Sequence, residues 1–129
     1  MERADTHAAD GRLKEAVRLY LETVNSNDPE AMVRLYRHDA LVEDPVGSGT
    51  LLRGHDEIRA FYENAFSAPL TVQLETEPRG SFGDTAAYAF RVTRGAAILK
   101  VIGVLTFDED GLIMSMRAYY GPSDITSGR

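Results

Sequence analysis

Ala40-Leu41-Val42-Glu43-Asp44-Pro45-Val46-Gly47 is the stretch on which the reading of this 129-residue chain turns. Its apolar opening reads as a half-buried strand, and Pro45 must end that strand because proline brings no ladder N–H. Asp44 is thereby expected at the rim of a core. A carboxylate partly withdrawn from water loses hydration of its charged form, so its pKa rises and it becomes a better proton acceptor. That is the setting of a general base. The plainer reading is that Asp44-Pro45 only opens a turn, as Asp before Pro commonly does.

Toward the N-terminus, Asp28-Pro29-Glu30 opens a helix with a cap at Asp28 and proline at the first helical position. Met32, Leu35 and Tyr36 would give it an inner face, with His38-Asp39 ending it before the strand. Upstream, Asp10 is expected to cap a helix in which Leu13, Ala16, Val17, Tyr20, Leu21 and Val24 recur at three-and-four spacing. Tyr20 then points inward, and Asn25-Ser26-Asn27 closes the helix. Met1 to Ala9 are small and polar and are expected to fray, leaving His7 in solvent. Toward the C-terminus, residues 46–50 form a loop, Leu51-Leu52 is a short apolar pair, and Gly54 leads into a third helix. There Ile58, Phe61, Tyr62, Ala65 and Phe66 share one face. His55, beside Gly54, has no His or carboxylate at ligand spacing and reads as a surface residue.

From Leu70 the period changes to two. Val72 and Leu74 alternate with polar residues, Gly80 to Asp84 make a turn, and Tyr88, Phe90 and Val92 form one strand face. Thr93 to Ala96 turn again. Ala97 to Phe107 is apolar on both parities, with Leu99, Val101 and Leu105 on one and Ile98, Ile102 and Val104 on the other, as in a strand covered on both faces. Asp108-Glu109-Asp110-Gly111 is a hairpin loop. The last strand, Leu112 to Tyr120, sets Met114, Met116, Ala118 and Tyr120 on one side, and the tail from Gly121 is polar. The expected class is α+β, one domain over residues 1–129 with loosely held ends at 1–9 and 121–129. A curved, mostly antiparallel sheet would wrap three helices around an apolar cavity.

Length and composition bound the function. The chain is long enough to bury about two-thirds of its unfolded surface, so a core and a pocket both fit. A hydrophobic fraction of 43% with 26% charged residues is that of an ordinary globular protein. The net charge of −6, without any run of Lys or Arg, speaks against nucleic acid as a partner. Zero cysteines exclude disulfides and thiolate chemistry. The first residues lack an apolar signal core and no run approaches a membrane span, so the expected location is the cytoplasm, away from membranes.

Taken jointly, Tyr20, the Val42-Glu43-Asp44-Pro45 motif, the helix from Gly54 with Phe61-Tyr62, and the closing segment Phe107 to Gly111 through Met116-Arg117-Ala118-Tyr119 resemble Δ5-3-ketosteroid isomerase. The likeness runs from about Leu13 to Tyr120. It implies the NTF2-like (SnoaL-like) cone, a homodimer, and proton transfer on a 3-ketosteroid without metal or cofactor. On this chain it makes Asp44 the base and Tyr20 the oxyanion donor, with Tyr36 and Tyr62 as a supporting hydroxyl network. Substrate would lie against Phe61, Tyr88, Phe90, Val101, Gly103, Met116, Ala118 and Tyr120. Three buried tyrosines also need partners for their hydroxyls, which independently favours a mutual chain.

One departure stands out: Gly103 occupies the position where the resemblance implies a protonated aspartic acid, the second oxyanion donor. Lys100, three residues earlier, points to the other strand face and does not replace it. Loss of one donor would weaken the reaction, a water could enter over Gly103, or the cone could serve another substrate. On the reading of a lost donor, Gly103→Asp should raise activity. Two alternatives remain open: an NTF2-like polyketide cyclase or dehydratase, although His38 and His55 fall at a helix end and a helix start and the Asp-Arg-Asp set of epoxide hydrolases is not evident; and a non-catalytic module that binds a steroid or another hydrophobic ligand.

Overall fold

The three-and-four spacing of Leu13, Val17, Tyr20, Leu21 and Val24 is realised as the buried stripe of α1 (Arg3–Asn25). A computed structural model describes residues 3–127. Helix α1 starts seven residues before Asp10, so Asp10 lies inside it and caps nothing, and the segment expected to fray is helical from Arg3. Met1 and Glu2 fall outside the described residues. His7 is exposed.

Helix α2 (Pro29–Val33) begins as its sequence demands: the Asp28 carboxylate accepts from the Glu30 N–H at 3.0 Å, and proline fills the first turn. It ends sooner than the apolar spacing suggests. Leu35 and Tyr36 lie beyond it, and Tyr36 opens strand β1 (Tyr36–Glu43), which includes His38 and Asp39. Pairing overrides helical periodicity here, because β1 lies parallel to β6 (Ile113–Tyr119), with Tyr36 opposite Ile113 and Val42 opposite Met116. Strand β2 (Leu51–Arg53) runs straight into α3 (Gly54–Ala65). At that junction Gly54 has φ +80°, and a β-carbon would sit 3.4 Å from the His38 carbonyl oxygen. Glycine suits both demands.

His55 corrects the expectation of a surface residue. It is half-buried and its Nε2 lies 2.8 Å from the Tyr36 carbonyl oxygen. Since a carbonyl can only accept, Nε2 carries the proton in that bond. His55 thus ties α3 to the start of β1.

The remaining strands are β3 (Thr71–Leu74), β4 (Thr85–Arg94), β5 (Ala97–Phe107) and β7 (Ile125–Ser127), the last preceded by a single 3-10 turn, Pro122–Asp124. Strand order is β2-β1-β6-β5-β4-β3, with β7 paired to β5, and every pairing except β1–β6 is antiparallel. The polar tail is therefore partly sheet. A register shift between Thr106 and Phe107 leaves Met114 out of step with Met116 and Ala118, so Ile113 is the buried residue there. Val17, Met32, Val42, Ile58 and Leu105 meet in the core with no accessible surface. Only one face of β5 is covered. Its inner residues Val101, Gly103, Leu105 and Phe107 are buried, whereas Ile102 is 47% exposed beside Tyr119 at 41%.

Asn25 and Asn27 do more than end α1. The Asn25 amide donates to the Val72 carbonyl at 3.0 Å and accepts from the Val72 N–H at 2.7 Å; Asn27 does the same to Leu70, at 3.0 and 3.2 Å. Both amides act as short pieces of strand along β3, and Asn27 takes φ +55°, which asparagine tolerates well.

Candidate active site

Strand β1 ends at Glu43, and the next residue is the carboxylate on which the sequence reading rested. The Asp44 N–H bonds the Thr50 carbonyl at 3.3 Å and the Val46 N–H bonds the Ala118 carbonyl at 2.8 Å, so the turn is held from β2's side and from β6. The Asp44–Pro45 peptide is cis. Burial pushes the Asp44 carboxyl up to about 6, with desolvation as the cause.

Asp44 faces a cavity of about 310 Å³ between the helices and the inner face of the sheet. The volume is at the small end of the range for drug-sized ligands. Phe61, Phe90, Val101, Met116, Ala118 and Tyr120, all read from the sequence as substrate contacts, line it together with Tyr20 and Tyr62. Asp44 is the only carboxylate in that lining. Among the described residues no group of three or more His, Asp or Glu is placed to hold a metal.

The tyrosines form a chain. Tyr36 Oη lies 2.6 Å from Tyr62 Oη, which lies 3.1 Å from Tyr20 Oη. Tyr36 stands behind the cavity wall, Tyr62 and Tyr20 on it. Burial raises all three above the ordinary phenol value, Tyr36 and Tyr62 well above. For Tyr20, burial is opposed first by the Tyr62 hydroxyl, then by that of Tyr36, while the charge of Asp44 adds to the rise and the nearby Tyr88 hydroxyl lowers it. If protons run from Tyr36 to Tyr62 to Tyr20, the Tyr20 proton is free to point into the cavity. Tyr120, half-buried on the wall, is raised by burial and then by the Asp44 charge.

Gly103 and Tyr88 are not on the wall, and their arrangement corrects one expectation. They face each other across β4 and β5, and the Tyr88 ring lies over Gly103. A β-carbon on Gly103 would come within 2.6 Å of Tyr88 Oη and 2.7 Å of Cε2. The place read as room for a water or a restored aspartate is filled by a phenol. Tyr88 also meets the Tyr20 ring edge-on at 6.0 Å between centroids and stacks on Phe90 at 5.2 Å. Burial, then Tyr20 and Asp44, hold the Tyr88 hydroxyl well above its ordinary value.

At the other end the wall includes Arg94, a residue the sequence reading passed over. Strand β4 runs through Arg94, where a turn from Thr93 was expected, and Arg94 shares the inward parity of Tyr88, Phe90 and Val92. Its alternation with them was the signal available.

Residues 17–116 match the family described as SnoaL-like domain. The chain belongs to the SnoaL-like family. This SnoaL-like chain is 41% identical over 117 residues to the Steroid Delta-isomerase of Nocardioides simplex, spanning 88% of this chain and 93% of that one. It is also 28% identical over 123 residues to Epoxide hydrolase LasB of Streptomyces lasalocidi, covering 86% of this chain but 42% of that longer protein. Among solved structures it is similar to SalBIII, an epoxide hydrolase/cyclase-like enzyme with a role in pyran ring formation in the polyether salinomycin. There the TM-score is 0.83 with 26% identity, over 91% of this chain and 96% of that one. RV0760c of Mycobacterium tuberculosis shares the fold, with a TM-score of 0.84 at 23% identity over 92% and 98%. The NTF2-like cone expected from the sequence is the fold.

Proposed function

We propose that this protein isomerises 3-ketosteroids, moving a 5,6 double bond to the 4,5 position by proton transfer. The observation that carries the reading is Asp44, a carboxyl raised to about 6 by burial, in one apolar cavity with the Tyr20 hydroxyl. Asp44 takes a proton from C4. The electron pair of that C–H bond becomes the C3–C4 double bond of a dienolate, and the negative charge collects on the C3 oxygen. Tyr20 donates to that oxygen, backed by Tyr62 and Tyr36. The dienolate then takes the proton back from Asp44 at C6, which leaves the double bond between C4 and C5 and the base ready again. No redox partner enters. A base near neutrality both accepts and returns a proton readily, which suits a carboxyl at about 6. The Tyr88 hydroxyl, off the cavity wall and over Gly103, lies close to Tyr20 and supports that donor from behind, so Tyr20 is the direct oxyanion donor in this reading.

The likeness to Epoxide hydrolase LasB and to the epoxide hydrolase/cyclase-like SalBIII favours a second reading, acid–base opening of an epoxide or cyclisation. That chemistry needs one group to protonate the departing oxygen and another to deprotonate the attacking one. A single carboxylate in the lining supports the isomerase instead. For assembly, the apolar outer patch of Ile102 and Tyr119 suits a second copy of the chain, to be checked by sedimentation equilibrium.

The deciding experiment is to incubate a 5-ene-3-ketosteroid with the protein and follow the ultraviolet absorbance of the conjugated product. A rise that Asp44→Asn abolishes supports the reading. No rise above the uncatalysed rate, with the steroid bound, overturns it.

A further inference from the structure

The cavity is chemically lopsided. Its acid–base groups, Asp44, Tyr20 and Tyr62, gather at one end, and Arg94 is the only cationic side chain in the whole lining. Tyr20 touches Tyr88 edge-on, and Arg94 stands six residues further along β4 with the same inward parity. Six residues of strand extend about 20 Å. Between the two ends the wall is apolar, with Phe90, Val92, Leu99 and Val101.

The guanidinium is steadied but not satisfied. Arg94 Nη2 donates to the Ser67 hydroxyl at 3.0 Å, which draws the residues following α3 against the end of β4. One of five N–H donors is thereby engaged. Arg94 enters no ion pair among the described residues; Arg12, Arg34, Arg53 and Arg79 do not either, but of these Arg94 alone lines the cavity. A planar fork of free donors at the rim of an apolar cavity matches a carboxylate carried by the ligand itself.

We propose that Arg94, held by Ser67, is a carboxylate-recognition site, and that the preferred substrates are ring ketones bearing a carboxylate on the end remote from the ketone. The proposal rests on the isomerase reading for the ketone end only. With the ketone at the tyrosines, the far ring and its side chain point along β4 toward Arg94. An acid there exchanges water for the Arg94 fork while its rings fill the apolar middle. Because Arg94 is solvent-exposed, the gain is that of a half-wet ion pair, about tenfold in favour of the acid.

The test compares two 5-ene-3-ketosteroids identical but for the end of the side chain, a carboxylic acid or its primary amide. Native protein is expected to favour the acid about tenfold in kcat/KM, through KM, with the ratio shrinking as salt is added. In Arg94→Gln the acid-to-amide ratio should fall to about one, and in Arg94→Lys it should be partly retained. Equal handling of acid and amide by native protein, as a merely solvated arginine would give, overturns the proposal. So does a preference that survives in Arg94→Gln. Displacement of a fluorescent apolar probe by the corresponding saturated acid and amide reads the same ratio without turnover. An inactive protein that still binds the acid more tightly therefore sinks the isomerase reading and leaves the Arg94 site standing.

Discussion

Tyr88 lies across Gly103 so closely that a β-carbon on the glycine would overlap the phenol ring and sit 2.6 Å from its oxygen. Tyr88 is 2% exposed and stacked on Phe90, so it has little room to retreat. Gly103→Asp is therefore expected to destabilise the fold by about 1–3 kcal/mol through overpacking, and to lower isomerase activity, contrary to what the sequence suggested. Urea unfolding midpoints check it. Tyr88→Ala/Gly103→Asp should regain stability over Gly103→Asp alone, and an unshifted midpoint in the single variant would remove the steric account.

The rate should follow the ionisation of one carboxyl. Asp44 must be deprotonated to act as base, and its value is about 6. The kcat/KM of isomerisation is expected to rise tenfold per pH unit below that point and to level off above it. A profile flat from pH 5 to 8 would mean that Asp44 is not the group that titrates.

The same carboxyl costs the fold stability. In the folded protein it holds its proton more tightly than at the ordinary value of 3.8, so the folded state binds more protons between about pH 4 and 6. Its contribution to stability is lost as pH rises through that window and stays lost above it. A difference of about two pKa units corresponds to about 3 kcal/mol at most. Asp44→Asn should thus unfold at higher urea than the native protein at pH 8, with the advantage vanishing near pH 4. Equal midpoints at pH 8 would contradict the burial of the charge.

The tyrosine chain predicts a gradient. Tyr20→Phe removes a donor to the oxyanion and should cost about 10²–10³ in kcat. Tyr36→Phe takes away a hydroxyl two bonds back in the chain and should cost roughly tenfold or less, its influence passing through Tyr62. A Tyr36→Phe loss as large as that of Tyr20→Phe would break the order.

Much of this was readable because local pattern and tertiary structure agree. The stripe through Tyr20, the Asp28-Pro29 start, the face carrying Phe61 and Tyr62, and the Asp44-Pro45 rim each follow from spacing or from one residue's chemistry. Tyr36 did not, because Met32, Leu35 and Tyr36 keep helical spacing while the pairing of β1 with β6 draws Tyr36 into a strand. Tyr88 over Gly103 depends on the register of β4 against β5, which alternation alone does not fix. Arg94 was hidden by its place at a strand end, where an arginine reads as solvated; the Ser67 hydroxyl that holds it on the cavity wall is brought over from beyond α3.

The paired amides of Asn25 and Asn27 have a consequence for how copies of the chain meet. Strand β3 is the outermost strand on its side of the sheet, and its free backbone groups would be a template for another chain. At Leu70 and Val72 the asparagines already occupy both the N–H and the C=O. The opposite margin, β2, is three residues long. Neither margin of the sheet therefore offers a long run of free backbone groups to a second chain, which leaves the side-chain patch around Ile102 and Tyr119, and not a strand edge, as the surface through which copies would meet.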